Sequence, residues 1–257
     1  METLRTSIKN GVGWVVFTRP HVRHAVNQEM MAELEEVIVA YESNTEVKVI
    51  VFTGDERTFV SGGDLSEFHQ KETYEDIFPL MKRMNNCLQK LREIHKPTIA
   101  AVEGVAVGGG CEIAVSCDLI YASEHASFGF IQVLLGITSG WGGGTRLLQK
   151  IGTNKALPLL LSGERITSRE AERIGLADRI FPSTGFLEMM QIEAERLTQA
   201  SLPVIQAYMK MARAVEEREE REFFLHESHS CSLLWESPEH RNAVDAFLQK
   251  RVKKEEV

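Results

Sequence analysis

Between Val105 and Cys117 the chain reads Val-Ala-Val-Gly-Gly-Gly-Cys-Glu-Ile-Ala-Val-Ser-Cys, and this stretch is the best suited to chemistry. Three consecutive glycines let a ligand come close to the backbone, and they leave amides unpaired where a helix begins. Such amides, with the positive end of a helix dipole behind them, suit an oxygen that gains negative charge during a reaction. Glu112 falls three residues after Gly109, one helical turn on and on the same face. A carboxylate there can move a proton beside the stabilised oxygen. The plainer reading is a turn packed by glycine, with Glu112 favouring the first helical turn. Taken alone, the motif leaves both readings open.

The elements that must position this turn are legible by period. The apolar run Thr98–Val102 is a core strand that leads into it. Upstream, Gly13–Thr18 reads as a strand, and Arg19–Asn27 as a loop rich in basic and imidazole groups. Asn27 is placed to cap a helix over Gln28–Tyr41 with an apolar stripe. Its other face carries Glu29, Glu33, Glu35 and Glu36 and reads as solvated. Val47–Thr53 is a second strand, apolar throughout and therefore buried on both faces. His69–Asp76 is polar and reads as a flap, before a helix over Ile77–Ile94 that starts near Pro79.

After a short strand at Leu119–Ala122, a second glycine cluster at Gly140–Gly144 opens a helix. Thr167 and Glu170 form a capping box closed by Gly175. Asp178–Phe181 is a short strand, and from Phe186 onward the pattern is helical, with Ser237 and Pro238 opening the last helix. The charge run Glu216–Glu222 reads as a solvated helical face. Strands alternating with helices, followed by helices alone, predict a βαβ core with a helical appendage. A helical tail that cannot bury both faces by itself packs readily on a second subunit.

Composition narrows the partners. A formal net charge of −8 argues against nucleic acid or an anionic membrane surface. The four cysteines form no C-x-x-C pair and no metal-ligand spacing with histidine, which implies reduced thiols in a cytoplasmic protein and no metal site. Met1–Asn10 has no apolar signal-peptide core, and no apolar run approaches the roughly 18 residues of a membrane span.

In order along nearly the whole chain, these pieces resemble the crotonase superfamily, the enoyl-CoA hydratase/isomerase family. Val105–Cys117 is similar to its Gly-x-Ala-x-Gly-Gly-Gly-x-Glu signature, and Ser61–Leu65 to its Ala-Gly-x-Asp-Leu element. Arg19–Asn27 is similar to its Arg-Pro-x-x-x-Asn-Ala-x-Asn element, with His24 in place of the first Asn. Leu135-Gly136 and Gly142–Leu147 match its second glycine cluster, and Ile166–Leu176 its Ile-x-Ala-x-x-Ala-x-x-x-Gly-Leu run.

The resemblance implies a crotonase-like α/β spiral of ββα units with a helical C-terminal region. The division would be a core over 1–195 holding a CoA-thioester site and a helical oligomerisation region over 196–257. It implies a homotrimer or a dimer of trimers, and no cofactor beyond the coenzyme A carried by the substrate. Backbone amides of Gly63 and Gly109 would form an oxyanion hole, which stabilises a thioester enolate more than the neutral carbonyl. Arg23, Ala25, Ser61, Asp64, Leu65 and Lys250 would meet CoA, with Arg19 a further candidate for its phosphates. Asp64 would also fix its own loop. Trp141 and Gly140 would wall the acyl pocket.

One departure divides the reactions. Hydratases of the family use two glutamates; Glu112 matches the first, while Gln132 stands where the second would fall. An amide cannot relay a proton; it only donates and accepts hydrogen bonds. Gln132 can hold a water, orient Glu112 or bind a polar group of the substrate. The expectation is therefore an acyl-CoA lyase of the hydratase type working through Glu112 alone. Isomerisation is disfavoured. Decarboxylation of a methylmalonyl- or ethylmalonyl-type CoA is the alternative, because it needs no second carboxylate and because Trp141–Leu147 resembles a run found in such decarboxylases. A second alternative is a non-catalytic acyl-CoA binder. RNA binding, carried in one branch of the family by a lysine-rich helix, is set aside because Gln28–Tyr41 is acidic.

Overall fold

In a computed structural model, the backbone is described for residues 1–216 and 220–255, and side chains for 1–214 and 226–249. The strands are β1 (Leu4–Lys9), β2 (Val12–Phe17), β3 (Val49–Thr53), β4 (Thr58–Val60), β5 (Thr98–Val102), β6 (Val105–Val107), β7 (Leu119–Ser123), β8 (Ser127–Gly129), β9 (Arg165–Thr167) and β10 (Arg179–Phe181). They form a six-stranded sheet ordered β1-β2-β3-β5-β7-β10 and a four-stranded sheet ordered β4-β6-β8-β9. Pairing is parallel except for β1 with β2 and β8 with β9. Successive strand pairs β3/β4, β5/β6 and β7/β8 each put their first strand in the large sheet and their second in the small one. That stepwise repetition is the expected spiral of ββα units.

Period-two alternation decides where the core sits. Along β3, Ile50 and Phe52 face the main core, while Val49 and Val51 face a second layer. Along β5, Ala100 and Val102 alternate in the same way with Ile99 and Ala101. The main core is closed by α1 (Gln28–Ser43), by α2 (Leu65–Phe68) and by α3 (Tyr74–Glu93), which contribute Met30, Phe68 and Met84 among others. Short α4 (Gly109–Ala114) carries the glycine turn, and α5 (Gly143–Ile151), α6 (Thr153–Ser162) and α7 (Ser168–Ile174) follow. The second layer is covered by α8 (Phe186–Leu197), whose Phe186, Met190 and Ala194 pack on the sheet and whose Gln191 accepts from Trp14 Nε1 at 2.7 Å.

The tail consists of α9 (Leu202–Glu216), α10 (Glu220–Trp235) and α11 (Pro238–Glu255). Here α10 lies along α3 and α5 of its own chain, and α11 lies against the turn at Ile131–Leu135. Side chains of the charge run Glu216–Glu222, and that of Lys250, lie outside the described residues. Among the described residues no helix is long and apolar enough to cross a membrane.

Four local expectations change. The chain begins with an antiparallel hairpin, not at Gly13: Asn10 and Gly11 take positive φ (51° and 81°) and turn β1 onto β2. Glu33 is buried rather than solvated, since its carboxylate accepts from the amides of Glu2, Thr3 and Leu4 and from the Thr3 hydroxyl. The stretch His69–Asp76 is tied down by the tail: Trp235 Nε1 donates to Lys71 O at 2.8 Å, and the Tyr74 amide to Glu236. Thr73 caps α3 there, so the helix starts before Pro79 instead of at it.

Candidate active site

The glycine turn forms because its neighbours leave no room for side chains. A Cβ on Gly110 would lie 1.9 Å from Val60 O, and one on Gly109 would lie 2.1 Å from the Trp141 ring. Gly108, at φ +56°, turns the chain from β6 into α4. Gly109 is the first residue of α4, where an amide has no intrahelical acceptor.

Gly63 approaches from the other side. Val26 N donates to Gly62 O and Asp64 N donates to Val26 O, both at 2.8 Å, so the amide of Gly63 between them faces away from Val26. A Cβ on Gly62 would sit 3.4 Å from Gly109 N, which shows how closely the two loops adjoin. Gly63, Gly109 and Glu112 line one cavity of about 570 Å³.

Glu112 is buried, and its carboxylate is fully oriented. Oε2 accepts from Trp141 N at 2.8 Å and Gly143 N at 2.9 Å; Oε1 accepts from Gln132 Nε2 at 2.9 Å and faces Gly140 N at 3.5 Å. Burial, and secondarily the charge of Glu227, push its pKa up to about 7 against the pull of those hydrogen bonds. Gly143 is required at the contact, since a Cβ there would lie 2.3 Å from Glu112 Cγ. Gln132 is buried too, and its Oε1 has no hydrogen-bond partner among the described residues.

The remaining predicted residues fall into groups. Trp141 packs on Gly109 and lines the cavity with Gly140, while its carbonyl accepts from Arg146 at 2.8 Å. Ser61 and Leu65 line the same cavity. Asp64 is turned inward: it caps α2 through Ser66 and pairs with Arg19 at 2.9 Å, and although burial opposes ionisation these partners hold its carboxyl below the ordinary range. The Asp64 side chain is therefore engaged within the protein.

The same pairing, with a further bond to Ala25 O, occupies the Arg19 guanidinium expected to reach phosphates. Ala25 is buried beside it. Arg23 is exposed and borders a different cavity with Arg5 and Arg57. His24 is buried, accepting from Arg19 N through Nδ1 and meeting Asp55 through Nε2 at 3.0 Å. That pattern fits the tautomer with hydrogen on Nε2. Asp118 ties β5 to the tail through Thr98 and Arg213, a structural role.

Sequence reasoning missed two contributions. The tail lines the cavity with Cys231, Trp235, Ala243, Ala246 and Phe247. Glu227, on α10, accepts from the amides of Gly144 and Thr145 at the start of α5. Neither has a local signal, because both depend on where the tail folds back. Among the described residues no group of three His, Cys, Asp or Glu could hold a metal ion.

Known proteins share this sequence and fold. The sequence profile described as enoyl-CoA hydratase/isomerase matches residues 7–255. The chain is 34% identical over 254 residues to the 2,3-dehydroadipyl-CoA hydratase of Escherichia coli, covering 98% of this chain and 97% of that protein. It is 32% identical to the short-chain-enoyl-CoA hydratase of Clostridium acetobutylicum, covering 93% and 92% respectively. A crystal structure of an enoyl-CoA hydratase/isomerase from Xanthobacter autotrophicus superposes with a TM-score of 0.89 at 24% identity, covering 98% of each chain, a likeness of fold.

Proposed function

The chain belongs to the enoyl-CoA hydratase/isomerase family, and from that premise we propose that it is a lyase that adds water to a 2-enoyl-CoA thioester through one carboxylate. The thioester oxygen accepts from Gly63 N and Gly109 N. Water donates one hydrogen to Glu112 Oε1 and the other to Gln132 Oε1, which aims its lone pair at Cβ. As the C–O bond forms, the water proton passes to Glu112 and the π electrons move onto the thioester oxygen as an enolate. Glu112 then returns a proton to Cα. Atoms and charge balance with no separate cofactor. Two fixed amides are worth most where the charge is largest, and loss of one such donor costs about 3–4 kcal/mol in other enzymes.

The observation that carries this reading is the Glu112 carboxylate, buried and held by the Trp141 and Gly143 amides in the cavity that Gly63 and Gly109 line. Water addition is better supported than decarboxylation. A malonyl-type carboxylate beside Glu112 would face a second acceptor in Gln132 Oε1, and the curated relatives cited above are named hydratases. Such an oriented carboxylate also speaks for catalysis over passive binding. Arg23, Ala25, Ser61, Leu65 and Lys250 are proposed to meet CoA, the first from the flank of a separate cavity. The exposed stripe Val204, Tyr208 and Met211 on α9 supports the tail as the site of assembly into a trimer or dimer of trimers. The test is hydration of crotonyl-CoA by the protein and by Glu112→Gln. Turnover should fall by about 10²–10⁴-fold while binding of the CoA ester survives; unchanged turnover would remove Glu112 from the mechanism.

A further inference from the structure

Two carboxylates from distant parts of the chain divide the first turn of α5 between them. Gly143 N donates to Glu112 Oε2 at 2.9 Å. The next two amides, Gly144 N and Thr145 N, donate to the two oxygens of Glu227 at 3.0 and 2.9 Å, and the Thr145 hydroxyl adds a third bond at 2.6 Å. No side chain caps this helix from its own N-cap position, because that residue is Gly142 at φ +88°. Glu227 does not line the cavity, and the amides it accepts from directly follow the one that Glu112 holds.

We propose that Glu227 is a positioning residue for the reaction assigned above: it takes the second and third amides of α5, leaves the first to Glu112, and sets a fixed negative charge near that carboxylate. The inference rests on the hydratase reading for its kinetic consequence, but its geometry stands without it. A like charge at close range disfavours the ionised form of its neighbour, adding to burial. Among the described residues, Glu227 and Cys231 on α10 and Cys111 on α4 interact electrostatically with Glu112, while Arg146 on α5 directs its guanidinium at Trp141 O and Gln89. Burial keeps both thiols protonated, so they bring no charge.

A residue that returns a proton to carbon must hold it near the working pH, and a carboxyl at its ordinary value does not. Glu227 thus makes Glu112 a stronger base toward the water of the first half, and lets the carboxyl keep that proton near neutral pH until Cα takes it. The tail supplies this charge, so the chemistry of the spiral depends on a helix whose Glu227 does not line the cavity.

The test is Glu227→Gln, with the Glu112 carboxyl titrated by infrared difference spectroscopy against Glu112→Gln and with kcat/KM for crotonyl-CoA followed across pH. The midpoint of Glu112 and the acid limb of kcat/KM should both move down by about one pH unit, with KM within about twofold. Glu227→Asp, which keeps the charge, should leave the midpoint in place even if it lowers the melting temperature. A lowered melting temperature with an unmoved midpoint in Glu227→Gln would overturn the proposal and reduce Glu227 to a helix cap. The infrared titration needs no turnover, so it decides the matter even if crotonyl-CoA is not a substrate.

Discussion

Gln132, which lines the cavity, gives its amide hydrogen to Glu112, while its own carbonyl oxygen is buried and meets no partner among the described residues. A buried acceptor left unpaired costs about 1–3 kcal/mol, so a ligand that supplies a donor recovers that loss. A hydroxyl on Cβ, the product of water addition, is such a donor.

The protein should therefore bind 3-hydroxybutyryl-CoA about tenfold more tightly than butyryl-CoA, which lacks the hydroxyl. Gln132→Met, similar in volume but without the carbonyl, should erase that preference. Calorimetric titration of both ligands checks it, and equal affinities in the parent protein would count against a role for Gln132 at Cβ.

The pH dependence of rate and of stability should run in opposite directions. With its pKa raised to about 7, Glu112 must lose a proton before it can act as a base, so kcat/KM rises as pH climbs through about 7. Stability does the reverse: between the ordinary value of 4.5 and about 7 the folded protein binds the proton that the unfolded chain releases, so raising the pH weakens the fold. Glu112→Gln keeps an acceptor for Trp141 N and Gly143 N without the charge. It should melt at a higher temperature than the parent at about pH 8, and the difference should close at about pH 4.

Gly143→Ala tests the contact between α5 and Glu112. The added methyl would lie 2.3 Å from Glu112 Cγ, so one of the two must move. Overpacking of this kind costs about 1–3 kcal/mol, and a shift of the carboxylate by about 1 Å costs about 100-fold in rate. Denaturant unfolding and crotonyl-CoA kinetics measure the two losses separately.

Glu33→Ala should loosen the N-terminal hairpin by about 2–3 kcal/mol, because three amides and a hydroxyl lose their shared acceptor. Burial raises the Glu33 pKa, yet these bonds outweigh it and hold the carboxyl below its ordinary value of 4.5. Its contribution is thus present above that value and fades as pH falls through the folded one. The gap between parent and variant in urea melts should narrow in acid.

The glycine turn, the core strands and the capping residues Asn27 and Thr167 were legible because each is a local pattern whose physics acts within a few residues. Even there the reading was partial: Glu170 gives Thr167 its amide, but its carboxylate pairs with Arg173 instead of reaching back. The Asn10-Gly11 turn carried a usable signal that the composition of β1 obscured, since five of its six residues are at the surface. Glu33 and Glu227 were not legible. Each looks like one more acid on a helical face, and only the arrival of a distant backbone segment gives it work to do.

The cavity gains its outer wall only when α10 and α11 lie against α3, α5 and the turn before Gly136. A chain emerging from the ribosome thus possesses its glycine turn and Glu112 well before it possesses the tail that walls their cavity. Premature termination within the last two helices would leave an apolar trough open to water, a surface that invites chaperones and proteases. The wall over the cavity thus comes from residues made long after Glu112, and the site is assembled only once α10 and α11 have emerged and folded back.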